Sequence, residues 1–339
     1  MSETKKIFSH KPQINISVPS TGRMWLICGC AFACILQSSL GDGGSSLIIA
    51  LTALSTAILT EFLLTSRTSR GAKIKDGSAA ATAMILAMLL PNQLSPVYVI
   101  FGTVFAITVV KYSFGGLGAN WLNPALGGWL FIRFSWPQAF KNALGEGSSI
   151  TDMVITGDLS VFDNSVTEFF NSSIFSLTEV QLPSGYIDLL FYNGPGIISD
   201  RGIFALLVGT IVITAIGINR GWIPLLFLSI YGFLIRMSGD PMMFWNGDLL
   251  YGIFSGGTIA AAFILSAEPA SSAKLKPGII LAVMLGAILS WFFRYKCMEY
   301  SGCFVAIALV NCITPIIRLL EEKIFLSRKT SSKFKENLV

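Results

Sequence analysis

Ten apolar runs, eight of them long enough to cross or nearly cross a bilayer, leave this chain few ways to fold. The eight lie at Met24–Leu40, Ser46–Thr65, Pro96–Ser113, Gly202–Ile218, Trp222–Met237, Leu249–Ala267, Gly278–Phe293 and Gly302–Leu320. Crossing about 30 Å of hydrocarbon takes roughly 20 apolar residues as helix. Two more, Ser78–Leu90 and Ala125–Trp136, are shorter. Each would rise only about 20 Å, which reads as a half-spanning or broken segment buried in protein. With 53% hydrophobic and 13% charged residues, the chain has too little polar surface to cover a soluble globule. The expected fold is an all-α integral membrane protein of about ten segments in a lipid bilayer. No cleavable secretory signal is expected, because Met1–Arg23 is polar and the first apolar run leads straight into a second.

The charges report orientation. With Lys5, Lys6, Lys11 and Arg23 inside, Arg67, Arg70, Lys73, Lys75, Lys111, Arg220, Lys274, Lys276 and the Lys-rich C-terminal end also fall inside. Arg201, Arg294 and Lys296 are the exceptions. Both termini are therefore expected in the cytoplasm. The net charge of +5 is explained by these flanking residues, so nucleic acid is not expected as a partner. The organisation follows: a cytoplasmic segment 1–23, a first membrane region 24–137, an outer acidic loop 138–201, a second membrane region 202–320 and a cytoplasmic tail 321–339. One histidine, His10, and six cysteines within or beside apolar runs assemble no zinc set. Cys28-x-Cys30-x3-Cys34 does not share one helix face, and thiols in an apolar helix act mainly as small hydrophobes. No metal site is expected.

The two membrane regions echo each other. Arg23-x-Trp25, the Ala-rich run ending at Pro91 and the LNPA around Pro124 are answered by Arg220-x-Trp222, SGGTIAAAFILSAEP ending at Pro269 and ITPI around Pro315. Five segments per half, an odd number, predict an inverted-topology repeat whose broken helices meet near the midplane.

Three stretches are distinctive: Asp76-Gly77-Ser78 running into TAMILAMLLP; Phe114-Gly115-Gly116-Leu117-Gly118-Ala119-Asn120-Trp121-Leu122-Asn123-Pro124-Ala125; and Asn193-Gly194-Pro195-Gly196 with Asp200-Arg201-Gly202. With INRGWIP at 218–224 and SAEP at 266–269, they resemble the family comprising the Rnf D subunit and the B subunit of sodium-pumping NADH:quinone reductase. The resemblance runs from about Ser9 to Ile317, and the short N-terminal segment is more like the D subunit. It implies two inverted five-helix repeats, like those of urea channels. It also implies a bacterial inner-membrane location, other membrane and peripheral subunits of an Rnf-type complex as partners, and an FMN joined by a phosphoester to a threonine of the outer loop. Flavin suits the role because it exchanges one or two electrons.

The flavinylation string that the resemblance implies, Asp-x-x-Ser-Gly-Ala-Thr ahead of the Asn193 stretch, is absent. Thr167, in Asp163-Asn-Ser165-Val-Thr167-Glu168, stands nearest its place, with Thr178 second. Either the site has drifted, or this member lacks covalent flavin. A solvent-facing threonine in a polar loop is the plain alternative for Thr167. Gly115, Gly116, Gly118, Asn120 and Asn123 are candidates to shape a non-helical loop near a flavin or cation, or simply a tight connection. Asp76 and Glu268, at the ends of the paired short helices, read equally as relay acids or as helix caps.

The function expected is that of a membrane subunit passing electrons between ferredoxin- or NADH-side and acceptor-side subunits, coupled to Na+ or H+ transport. A small-solute channel and a flavin-less scaffold of the same complex are the alternatives. No dinucleotide fingerprint is present, so any such site would lie on other subunits.

Overall fold

The computed structural model describes residues 20–65, 75–116, 120–144, 165–173, 189–191, 196–238, 249–297 and 299–336. Among these residues every regular element is helical, and the chain is a multi-pass all-α membrane protein. Helices α1 (Ser20–Gly41) and α2 (Ser45–Leu64) form an antiparallel pair. They are followed by the short α3 (Ser78–Leu89), then α4 (Pro96–Phe105), which continues as a π-helix over Ala106–Tyr112, then α5 (Pro124–Ser135) and α6 (Pro137–Leu144). α7 (Ser165–Ser173) and the single turn α8 (Ile198–Arg201) lead to α9 (Ile203–Ala215) and α10 (Trp222–Met237). The remaining helices are α11 (Leu249–Ile253), α12 (Thr258–Ala260, continuing as a π-helix over Ala261–Leu265), α13 (Lys276–Tyr295) and α14 (Gly302–Glu336).

Among the described residues, four helices are long and apolar enough to cross a membrane: α1, α2, α13 and the first part of α14. Their outward stripes carry large apolar side chains such as Leu51, Leu59, Leu63, Ile288, Ile316 and Leu319, all exposed. In water such a surface would drive association; facing hydrocarbon it needs no cover. The opposite faces are small. Cys30 packs on Gly209 and Cys34 on Gly202, where an added Cβ would collide with the Cys34 carbonyl oxygen. That lets α1 lie directly against α9 and joins the two halves of the chain.

α3 is enclosed on all sides: each of its 12 residues is buried. A rise of about 18 Å makes it too short to cross, and the small residues of its first half, Ser78–Ala83, let α1, α2 and α5 close around it. Its apolar character on every face marks it as a helix surrounded by protein.

The structure corrects one expectation and adds detail to others. Leu249–Ala267, expected as one continuous span, is broken: α11 stops at Ile253, and Gly256 and Gly257, with φ of 66° and 71°, turn the chain before α12 begins. The Ser255-Gly-Gly257 step is the cause, since a glycine pair accepts the left-handed conformation other residues resist. Helix α14 runs unbroken to Glu336, past the expected tail boundary at 321. The expected outer loop 138–201 contains helical elements, with Phe140, Asp200 and Arg201 buried.

The sequence echo is also only partly positional. Ser78–Leu89 and Thr258–Leu265 occupy comparable places. However, Arg23-x-Trp25 opens α1, the first helix of its half, whereas Trp222 opens α10, the second. Pro124 starts α5, while Pro315 lies inside α14.

Candidate functional site

The two interrupted helices, α3 and α12, begin in the same way. Each follows a left-handed glycine, Gly77 (φ 73°) and Gly257 (φ 71°). In each, the free amides of the first turn meet a carboxylate. Asp76 Oδ1 accepts from the Ser78 amide at 2.7 Å. Asp200 accepts from the Gly256 amide at 2.9 Å and from the Gly257 amide at 2.8 Å. Unpaired helix-start amides carry partial positive charge and attract acids.

Each start also receives a cation from the end of the next long helix, one residue before a tyrosine. In the first half this is Lys111, on the π-helix after α4. Its Nζ donates to Ser78 Oγ and to Glu61 Oε1, both at 2.6 Å. Lys111 and Glu61 are 3% and 2% exposed. The Tyr112 hydroxyl donates to the same Glu61 oxygen at 3.1 Å and lies 2.9 Å from Thr65 Oγ1. An ammonium beside the positive end of a helix is unfavourable alone, and Glu61 offsets it.

In the second half the cation is Arg294, at the end of α13 and fully buried. Its Nη1 donates to the Ser255 carbonyl at 2.7 Å, the Gly252 carbonyl at 3.0 Å, the Tyr231 hydroxyl at 3.2 Å and Thr258 Oγ1 at 3.3 Å. Its Nη2 donates to Ser255 Oγ. Among the described residues, Nε finds no partner. Tyr300 donates to Asp200 Oδ2 at 2.8 Å, completing the set around that carboxylate.

The other ends of the two helices are polar as well. Beyond the C-terminal end of α12, Glu268 Oε2 accepts from Asn123 Nδ2 at 2.7 Å and from Ser271 Oγ at 3.0 Å. Asn123 also caps α5, its Oδ1 accepting from the Leu126 amide at 3.2 Å, so one side chain ties the start of α5 to the end of α12. Beyond the C-terminal end of α3, the Leu90 carbonyl accepts from the Ile198 amide at 3.0 Å. There the Asn92 amide donates to the Gly196 carbonyl, also at 3.0 Å.

Against the residues singled out from sequence, the placement is mixed. Asp76 caps α3. Asn123 and Glu268, far apart in sequence, are bonded to each other. Gly115 and Gly116 form the turn after the π-helix with φ of 102° and 90°, the Gly116 amide returning to the Lys111 carbonyl at 3.0 Å. Asn120 is buried and, among the described residues, its Oδ1 lacks a partner, as does Trp121 Nε1 beside it. Gly118 and Thr178 lie outside the described residues. Thr167 is in α7, 2% exposed, rather than on a solvent-facing loop. Asp76 and Asn123 place their hydrogen bonds on Ser78, Leu126 and Glu268, not on α7.

Three buried cations read from sequence only as flanking charges. Lys111, Arg201 and Arg294 are 3%, 2% and 0% exposed and face the protein interior. Arg201 and Arg294 are two of the three exceptions to the charge pattern. Sequence reasoning missed Glu61, although an acid inside an otherwise apolar helix is a readable signal.

Comparison with known proteins points the same way. The model of the NQR2, RnfD, RnfE family matches residues 7–325. The chain is 27% identical over 322 residues to the D subunit of a proton-translocating ferredoxin:NAD(+) oxidoreductase complex from Clostridium ljungdahlii, covering 92% of this chain and 94% of that one. It is 29% identical over 274 residues to the D subunit of a Na(+)-translocating ferredoxin:NAD(+) oxidoreductase complex from Acetobacterium woodii, covering 79% of each. With the D subunit of an ion-translocating oxidoreductase complex from Methanosarcina acetivorans it shares 26% identity over 264 residues, 78% of this chain and 77% of that one.

Proposed function

Since the chain belongs to the NQR2, RnfD, RnfE family, we propose that it is the D-type membrane subunit of a complex coupling electron transfer from ferredoxin or NADH to the movement of Na+ or H+. The observation that carries this reading is the pair of interrupted helices, each with a buried cation and a buried acid at its start, inside an otherwise apolar bundle. Buried ionisable groups are costly in a membrane and persist where charge is handled. Relatives from Clostridium ljungdahlii and Acetobacterium woodii are named for moving protons and sodium ions respectively, which supports the ion-coupled reading and leaves both ions open for this chain.

In this reading the bundle consists of two inverted five-helix halves in the bacterial inner membrane, with both termini cytoplasmic. The similar starts of α3 and α12 support the repeat. With the buried Lys111, Arg201 and Arg294 set aside, the remaining flanking charges support the orientation with Lys296 as the exception. The partners are the other membrane and peripheral subunits of an Rnf-type complex.

The residues then divide the work. Glu61, Lys111 and Tyr112 hold a titratable network at the start of α3. Glu268, held by Asn123 and Ser271, places a second acid at the end of α12. Asp76 and Asp200 fix the two helix starts.

FMN is the redox group we propose for the subunit, where it would exchange one or two electrons with neighbouring carriers. The placement of Thr167 does not favour a phosphoester-bound flavin, since the residue is buried in α7. This burial favours a second reading, a flavin-less subunit of the same complex. Denaturing electrophoresis with in-gel flavin fluorescence, after expression with the flavin transferase, separates the two. A fluorescent band with FMN mapped by peptide mass to Thr167 or Thr178 upholds the redox role of this chain. A dark band, with redox-driven ion uptake intact in vesicles of the assembled complex, moves the flavin to another subunit. Absence of redox-driven ion uptake in those vesicles overturns the proposed function.

A further inference from the structure

Residues 196–202 touch both interrupted helices and the α1–α2 connection at once, and no residue of this stretch is exposed. Towards α3, the Gly196 amide donates to Asn92 Oδ1 at 3.2 Å, Gly196 and Ile198 form backbone hydrogen bonds with Asn92 and Leu90, and Ile197 pairs with Pro91 as an antiparallel bridge. Towards α12, the Asp200 carboxylate holds the amides of Gly256 and Gly257, with Tyr300 as third donor. Towards α1 and α2, Arg201 Nε donates to Ser38 Oγ at 3.1 Å and lies 3.9 Å from Asp42 Oδ2. Gly202 seats the end of the stretch on Cys34.

The C-terminal end of α3 and the N-terminal start of α12 therefore meet the same short stretch of chain. Neither helix is long enough to be held in place by crossing the bilayer. Their axial positions are set by what grips their ends. A buried carboxylate receiving three donors is a strong grip, and the paired backbone hydrogen bonds at Leu90 and Asn92 are another. We infer that 196–202 is a strap that locks α3 and α12 into one mechanical unit, with Asp200 as the positioning residue that transmits displacement between them. It rests on the proposed function only for the consequence that ion movement depends on this link.

The test uses the assembled complex. In Asp200→Asn one carboxylate oxygen becomes an amide donor facing a glycine amide, so one of the two backbone bonds is replaced by repulsion. Amide hydrogen exchange in peptides covering 255–258 rises at least about tenfold, the loss expected for one charge-assisted bond. The strap predicts a comparable rise in peptides covering 90–92 and 197–198, which the Asp200 side chain does not touch, while the middle of α13 is unchanged. A rise confined to 255–258, or one spread over the whole bundle, overturns the strap. Should Asp200→Asn fail to assemble, Asn92→Ala tests the link from the other end: exchange must rise at 255–258, and no rise there overturns it. In vesicles of the complex carrying Asn92→Ala, which lies outside the charged sets at both helix starts, ions moved per electron should fall severalfold while electron flow stays close to wild type. An unchanged ratio overturns the coupling role. If the wild-type complex moves no ions, the functional reading fails, and the exchange data still decide the strap.

Discussion

The start of α3 and the start of α12 have the same parts in different chemistry. Lys111 answers Glu61 in the first, an ammonium against a single carboxylate. Arg294 occupies the second, permanently charged and with its planar fork spread over Gly252, Ser255, Thr258 and Tyr231. An ammonium is a compact point charge; a guanidinium is a rigid multiple donor. The first start is thus built on a two-residue ion pair and the second on a single cation spread over several neutral acceptors.

Breaking the second start should have the largest effect. Arg294→Lys loses the fork, leaves several buried acceptors without donors, and should destabilise the chain by about 3–5 kcal/mol, seen as a much lower thermal midpoint in detergent. A midpoint close to wild type would show that the two cations are interchangeable and erase the distinction.

The titratable network gives the next largest effect. Glu61→Gln and Lys111→Met should each cost about 3 kcal/mol, because each leaves a buried charge unpaired. The double variant should recover most of that loss, since removing both partners of a buried pair is often nearly neutral. Additive losses in a double-mutant cycle would show that the contact contributes little. In vesicles of the complex, the double variant should retain folding and lose ion uptake. Retained uptake would place the responsive group elsewhere, with Glu268 the next to test.

Asn123 links the halves more weakly. Asn123→Ala removes the α5 cap and one donor to Glu268, for about 1–2 kcal/mol. Asn123→Asp keeps the cap and sets two carboxyls together, so it should be the more damaging variant at about pH 8 and approach the alanine variant at about pH 5, where a shared proton relieves the repulsion. Equal melting of the two variants at both values would show that Glu268 is not the partner in solution.

The smallest effect is at the α1–α2 turn. Burial works to raise the carboxyl of Asp42. Hydrogen bonds from Ser46, Ser45 and the Gly44 amide, with the Arg201 charge, overcome this and hold it below the ordinary carboxylate value. A lowered folded pKa contributes stability above the unfolded value that is lost as pH falls through the folded one. Asp42→Asn should therefore lower the midpoint slightly at neutral pH and converge with wild type in strong acid. A gap that stays constant down to about pH 2, below the ordinary carboxylate range, would show that the Asp42 charge does not contribute.

Much of the fold was legible because lipid imposes a simple rule: backbone polar groups must pair within the segment, so apolar runs of bilayer length become helices. Helical structure lies in each of the ten runs. The missed break at 254–257 had a visible cause in Ser255-Gly256-Gly257, masked by the apolar residues on either side. The site was legible in fragments. Asp76 before a helix and Asn123 before a proline are local caps, readable from their neighbours. Glu268 as the partner of Asn123 was not, since no local rule pairs residues so distant in sequence.

Read in one dimension, the chain already declares that it lives in a membrane, is all-α, and carries the glycine and proline stretches of its family. Which charges face inward is settled only in three dimensions. Lys111, Arg201 and Arg294 look like ordinary flanking cations because a side chain long enough to reach either water or a buried acid gives the same pattern in sequence. The choice is made by Glu61 for Lys111, by Ser38 for Arg201 and by Tyr231 with the 252–258 stretch for Arg294, and those meet only after packing.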